Sequence, residues 1–248
     1  MPKSRAVAIA VVAVLAVAVG GFILYDQVLR GDSAAALTLP TASPTTQASG
    51  GASTTDPNAT AAPGTTSAVA GTWAVASDSV AGYRVREQLA NLPAESDAVG
   101  RTNQVSGSIT VEGSGDSATL SAGTLTVDTT SIASDKQMRD NRLRREGLQT
   151  DSFPTATFTL TAPVEVPAEA LAGTASDVTL TGDLTLHGVT KSVSIPAKAR
   201  LVDGVISVAG SLTFPLSDYS ITAPNIGGFI VSIADTGTLE FLVNFTKS

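Results

Sequence analysis

From Gly71 onward, apolar and polar residues alternate with a period of two in short runs, and turn residues break the runs at hairpin spacing. Trp73 and Val75, then Val80 to Arg86 with Tyr83 and Val85 on one face, predict an opening strand region. Val105 to Val111 and Gly123 to Val127 predict a hairpin across the turn Glu112-Gly113-Ser114-Gly115-Asp116. Thr157 to Val166, Val178 to Leu186, Ser192 to Leu201, Val205 to Leu216 and Thr238 to Phe245 follow as strands. Turn signals stand at Thr181-Gly182-Asp183, His187-Gly188, Asp203-Gly204 and Gly227-Gly228. Gln88 to Arg101 lacks the alternation, and Pro93 argues against a central strand, so this stretch reads as a loop. A sheet of about eight strands with little helix to cover it must curl on itself, as an antiparallel barrel or sandwich.

One stretch departs from this pattern. In Ser131 to Phe158, Ser134 followed three residues later by Gln137 spells a capping box, and Gly147 offers a left-handed helix end with Leu148 to pack over it. These signals predict one short helix, leading through Phe153-Pro154 into the next strand. Asp140 and Arg144 form a possible local ion pair, and Arg139 is placed to meet a strand-end carboxylate and pin the helix across the barrel opening.

The N-terminal part is of another kind. Residues 1–5 carry Lys3 and Arg5, and Ala6 to Leu24 is uncharged and apolar, followed by Asp26. This predicts an uncleaved transmembrane anchor over 6–25, with a cytoplasmic N-terminus and the remainder of the chain outside. Residues 26–70, rich in Ser, Thr, Ala, Pro and Gly, read as a disordered linker. As a coil, its length would hold the domain about 35 Å from the membrane, from about 5–6 Å times the square root of the residue number.

Composition narrows the chemistry of residues 71–248. The chain contains no cysteine, so it has no disulfide and no thiolate ligand or nucleophile. Its net charge of −7 falls after residue 70 and argues against nucleic acid as a partner. The single histidine, His187, lacks partner ligands for a metal site and reads as a turn residue. Neither a nucleophile elbow nor a phosphate-binding glycine loop is present. The residues therefore point to no enzyme, no metal and no cofactor. The alternating apolar faces point instead to an interior that is either filled or hollow enough for one apolar ligand.

Three strings carry a family resemblance: S-I-x-S-x-x-x-x-R-D-x-x-L-x-x-x-x-L-x-T-x-x-F-P-x-A-x-F from Ser131, G-D-L-T-L-H-G-V-T-K-x-V at Gly182 to Val193, and F-P-L-S-D-Y-S-I at Phe214 to Ile221. They resemble the YceI-like, or polyisoprenoid-binding, family over nearly all of residues 71–248. The resemblance implies a mainly β fold, an eight-stranded antiparallel lipocalin-like β-barrel with an apolar tunnel for a long isoprenoid chain. On that reading Phe153, Phe158, Leu184, Leu186, Phe214 and Phe241 are the expected lining residues, with Arg139 a headgroup contact. The expected partners are a polyisoprenoid-type or other long-chain lipid and, through the N-terminal helix, the membrane. The alternative is a non-catalytic cell-surface interaction module whose barrel is packed solid.

Overall fold

The structure, a computed structural model, describes residues 33–40, 69–89, 95–114, 117–223 and 230–248. The predicted anchor over 6–25 lies outside the described residues. Among those described, no helix is long and apolar enough to cross a membrane.

In chain order the strands are β1 (Gly71–Val75), β2 (Val80–Leu89), β3 (Ser96–Thr102), β4 (Val105–Ser114), β5 (Ser117–Asp128) and β6 (Ala133–Ser134). Helix α1 (Gln137–Arg142) follows and widens into a π-type turn over Leu143–Gly147. Then come β7 (Thr155–Leu160), β8 (Val164–Val166), the one-turn helix α2 (Ala168–Leu171), β9 (Ser176–Leu186), β10 (Val189–Val202), β11 (Val205–Pro215) and β12 (Ile230–Lys247). All pairings are antiparallel, and β1, β4, β5, β7, β9, β10, β11 and β12 form a closed ring of eight because β12 returns to β1. The ring is the expected eight-stranded barrel. β12 also pairs with β2, which carries β3 and β6 beside it and leads the chain into α1. The end where α1 stands is called the mouth below. The β10–β11 turn, with Asp203 and Gly204 both at positive φ, marks the opposite end.

Alternation places the core as the sequence predicts. Leu180, Leu184 and Leu186 of β9, Ile195, Ala197 and Ala199 of β10, and Phe241, Val243 and Phe245 of β12 are all buried on the inner side. His187 and Gly188 both take positive φ, which suits the tight two-residue connection between β9 and β10.

Five local readings are corrected. Residues 96–102, read as part of a loop, form β3; its inner positions are the small Ala98 and Gly100, and Tyr83 fills the space over Gly100. A Cβ on Gly100 would overlap the Tyr83 ring. Gly182 is no turn but an interior position of β9, where the Phe158 ring lies against its backbone. Gln137 does not reciprocate a cap from Ser134. Instead Asp140 turns back and accepts from the Ser134 N–H at 3.0 Å and from its hydroxyl at 2.6 Å, so it does not pair with Arg144 as expected. Gly147 sits inside the π-type turn, and the left-handed residue is Gln149 at φ 46°.

Phe245 is 2% exposed at the end remote from the mouth. Phe245→Ala should cost about 3–5 kcal/mol of stability, since the ring's transfer energy is lost and a cavity remains. Urea unfolding monitored by the single Trp73 measures it.

Candidate functional site

Inside the barrel is an apolar cavity of about 180 Å³. Its wall is built by inward positions of nine strands, among them Tyr83 and Val85 of β2, Leu125 and Val127 of β5, Phe158 of β7, Leu180, Leu184 and Leu186 of β9, Ile195 of β10, Phe214 of β11, and Leu239 and Phe241 of β12. Leu143, Gly147 and Leu148 close it from the α1 side, and Ile221 and Ala223 from the segment after β11. A smaller void of about 50 Å³ lies toward the opposite end between Ile109, Val111, Val178 and Val208. Leu180 lines both, so it stands where the two hollows adjoin.

Of the expected lining residues, Phe158, Leu184, Leu186, Phe214, Phe241 and Arg139 all border the larger cavity. Phe153 does not. Its ring meets His187 edge-on at 4.5 Å and rests on Gly188, outside the wall. His187 is held in its turn by a 3.0 Å hydrogen bond between Nδ1 and the Tyr219 carbonyl.

The polar groups of the wall gather at the mouth. Glu87, on the same inner face as Tyr83 and Val85, is 3% exposed and accepts from Arg139 Nη2. Arg139 Nη1 bonds Asp135 at 2.5 Å and the Ser134 hydroxyl at 3.2 Å. One guanidinium thus sits between two carboxylates and ties α1 to β2, the pinning role that the sequence suggests. Partial burial pushes the Asp135 carboxyl up, and the hydrogen bond and charge of Arg139 more than offset that, leaving it below its ordinary value. With its positive charge already balanced, Arg139 offers little to a dianionic phosphate. Tyr83 presents a buried hydroxyl without a hydrogen-bond partner among the described residues. Burial pushes its phenol up to about 12; Arg139 opposes the rise, and Asp140, Glu87 and Asp135 add to it.

Sequence reasoning missed Glu87 and Tyr83 as site residues. A signal existed: Tyr83, Val85 and Glu87 keep the same parity, which puts a carboxylate on an otherwise apolar inner face. Nothing in this arrangement is a nucleophile with an adjacent base, and among the described residues no cluster of His, Asp or Glu could hold a metal ion.

A family model for the YceI-like domain matches residues 73–245. The chain belongs to the YceI-like family. It is 40% identical over 75 residues to Protein YceI of Escherichia coli O17:K52:H18 and 39% identical over 75 residues to Protein YceI of Shigella flexneri. Each match spans 30% of this chain and 35% of the relative, so about a third of the relatives' length is covered. Two solved structures share the fold. A polyisoprenoid binding domain from Saccharophagus degradans, implicated in plant cell wall breakdown, superposes with a TM-score of 0.56 at 22% identity, over 72% of this chain and 99% of that domain. Burkholderia cenocepacia BcnA gives 0.50 at 21% identity, over 67% and 95%.

Two outcomes follow from the polar end. Arg139→Ala should destabilise the domain by about 3–5 kcal/mol, because Glu87 is left charged and buried. The double variant Glu87→Gln with Arg139→Ala should recover part of that loss in the same urea titration, where a pure packing defect would show no recovery. The second concerns alkaline pH. Since the folded pKa of Tyr83 lies above the ordinary 10, the stabilisation is fully present below pH 10 and is lost as pH rises toward 12. Tyr83→Phe should flatten the pH dependence of unfolding free energy across that window.

Proposed function

We propose that this protein is a membrane-tethered, extracytoplasmic lipid-binding protein that holds a polyisoprenoid or similar long apolar chain inside its barrel. The observation that carries the reading is the hollow itself: an aliphatic and aromatic wall around about 180 Å³, extended toward a second void at Leu180. An apolar void of roughly 150 Å³ already stays dry and takes up a hydrocarbon ring. Each methylene of a guest moved from water into such a wall gains about 0.8 kcal/mol, so a long chain binds tightly without a specific polar partner. A solid barrel serving only as a surface module would not keep this space. The polyisoprenoid binding domain of Saccharophagus degradans has the same fold and supports the same class of cargo here.

Membrane tethering rests on the apolar run over 6–25, and its flanking charges support a barrel outside the cytoplasm. No step of this function requires catalysis or a cofactor.

Solvent extraction and native mass spectrometry of the full chain, purified from its membranes, should reveal a co-purifying long-chain lipid. Leu184→Trp, which adds bulk at a buried wall position, should lower lipid occupancy about tenfold or more while the chain still folds, because overpacking costs about 1–3 kcal/mol. Wild-type protein that carries no lipid, and takes none from prenyl alcohol added to it, would reject the function.

A further inference from the structure

The segment Ser33–Pro40 falls in the stretch expected to be a disordered linker, but its first residues, Ser33 to Ala35, are hydrogen-bonded to the outer wall of the barrel. The Ser33 hydroxyl donates to the Asp97 carbonyl at 3.0 Å and accepts from the Asp97 N–H at 3.1 Å. The Ala34 carbonyl accepts from Arg84 at 2.6 Å, and the Ala35 carbonyl accepts from Arg101. Beneath this strap, Glu240 is 2% exposed and is bound by Arg101 at 2.7 Å and Arg84 at 3.5 Å. The two arginines thus neutralise a covered carboxylate and hold the strap with the same guanidinium groups.

The strap has a direction. Ser33 binds Asp97, which pairs with Arg86, the neighbour of the mouth residue Glu87. Ala35 binds Arg101, which pairs with Gly82, farther from the mouth. The strap therefore has its Ser33 end toward the mouth.

On the reading of 6–25 as the anchor, seven residues, 26–32, join it to Ser33. Fully extended at about 3.3–3.6 Å each, they reach about 25 Å. An eleven-residue strand such as β9 spans about 36 Å at about 3.3 Å per residue. Seven residues are thus a leash shorter than the barrel wall is long, so an anchor joined through them to Ser33 would stay farther from the opposite end than from the mouth end, where Ser33 sits.

That end also presents a suitable face. Arg139 and Leu143 turn inward from α1, whereas Met138, at 61% exposed, and Arg145 and Lys136 turn outward. Met138 and Val202 are the exposed large hydrophobic residues among those described, and Val202 belongs to the opposite end. Arg145 bonds back to the Asn141 carbonyl at 3.3 Å, and Lys136 stands 3.6 Å from Asp135. An apolar thioether flanked by long cationic side chains suits the headgroup layer, where such stems lie along apolar matter and their charges stay in water. Glu95, Asp151 and Asp235 are exposed around the same rim, so the fit rests on apolar insertion and leash length more than on net charge.

We infer that the strap holds the barrel mouth-first against the phospholipid bilayer, with the outer face of α1 seated in the headgroups. This inference rests on the proposed anchor and deepens the proposed lipid-binding role, since the mouth then opens where an apolar cargo resides.

The absence of cysteine makes the test clean. Full-length Met138→Cys and Val202→Cys variants, each carrying an environment-sensitive fluorophore, are reconstituted in phosphatidylcholine vesicles with and without phosphatidylglycerol, and a nitroxide lipid serves as quencher. Quenching several-fold stronger at 138 than at 202, in both vesicle types, supports the orientation. Equal quenching, or stronger quenching at 202, in chain that partitions with the vesicles overturns the orientation alone. Chain that does not partition overturns the anchor and the orientation together. Cargo measured by mass spectrometry in the same samples reports on lipid binding separately from either result.

Discussion

Every N–H and C=O along β12 must find a partner, and this requirement closes the barrel. The strand runs for eighteen residues, and no single neighbour on its second edge is long enough to match it. β11 covers one edge from Thr236 to Thr246. On the other edge β2 pairs as far as Leu242, and β1 takes over at Phe245. Between them lies Asn244. The hydroxyl of Ser79, wholly buried, accepts from the Asn244 N–H at 3.0 Å and donates to its carbonyl at 3.2 Å, while Ala76 N–H donates to that carbonyl at 2.8 Å. The handover is thus satisfied by a side chain where strand pairing is interrupted. Once β12 is paired along both edges, its inner face of Leu239, Phe241, Val243 and Phe245 has no choice but to look into the barrel.

Ion pairs then fix what closure leaves loose. Glu87 and Glu240 stand on opposite sides of the same wall, one inward and one outward, and each is buried and held by arginine. The inner pair ties α1 to the mouth, and the outer one supports the strap. Buried ion pairs add little net stability over an apolar replacement, yet removing one partner is costly. They specify where α1 and the strap sit, a job that diffuse apolar contact does poorly.

The barrel was legible wherever large aliphatic residues alternate with Thr, Ser or Lys, as in β9 to β12, because such a face has one way to be buried. It was illegible where the inward residue is small. β3 presents Ala98 and Gly100 inward, and nothing local shows that Tyr83 from the neighbouring strand makes up the volume over Gly100. Gly182 misled for the same reason, being small to admit Phe158 rather than to turn the chain. Around α1, the capping spelling predicted the right place and the wrong acceptor, since Asp140 reaches Ser134 only after the chain has bent back on itself. Among the site residues, parity alone could find Leu184, Leu186, Phe214 and Phe241. Phe153 lies next to a proline at the entry to β7, where no strand parity applies, and its ring went to His187 instead.

A hollow is an unusual thing for a protein to keep. At about 24 cal/mol per Å³, an empty void of this size costs roughly 4 kcal/mol, a large part of the stability of an ordinary domain. Helices could slide together and fill it, but a ring of hydrogen-bonded strands has a circumference set by strand number and stagger, and it cannot shrink without breaking its ladder. The backbone therefore bears the cost that packing would otherwise remove. Any apolar guest that fills the space returns that free energy, so occupancy and stability are linked, and the barrel is more stable loaded than empty. The same linkage explains why the wall needs few polar groups. The polar groups the wall does have stand at the mouth, where Glu87 is neutralised by Arg139 and Tyr83 keeps a buried hydroxyl.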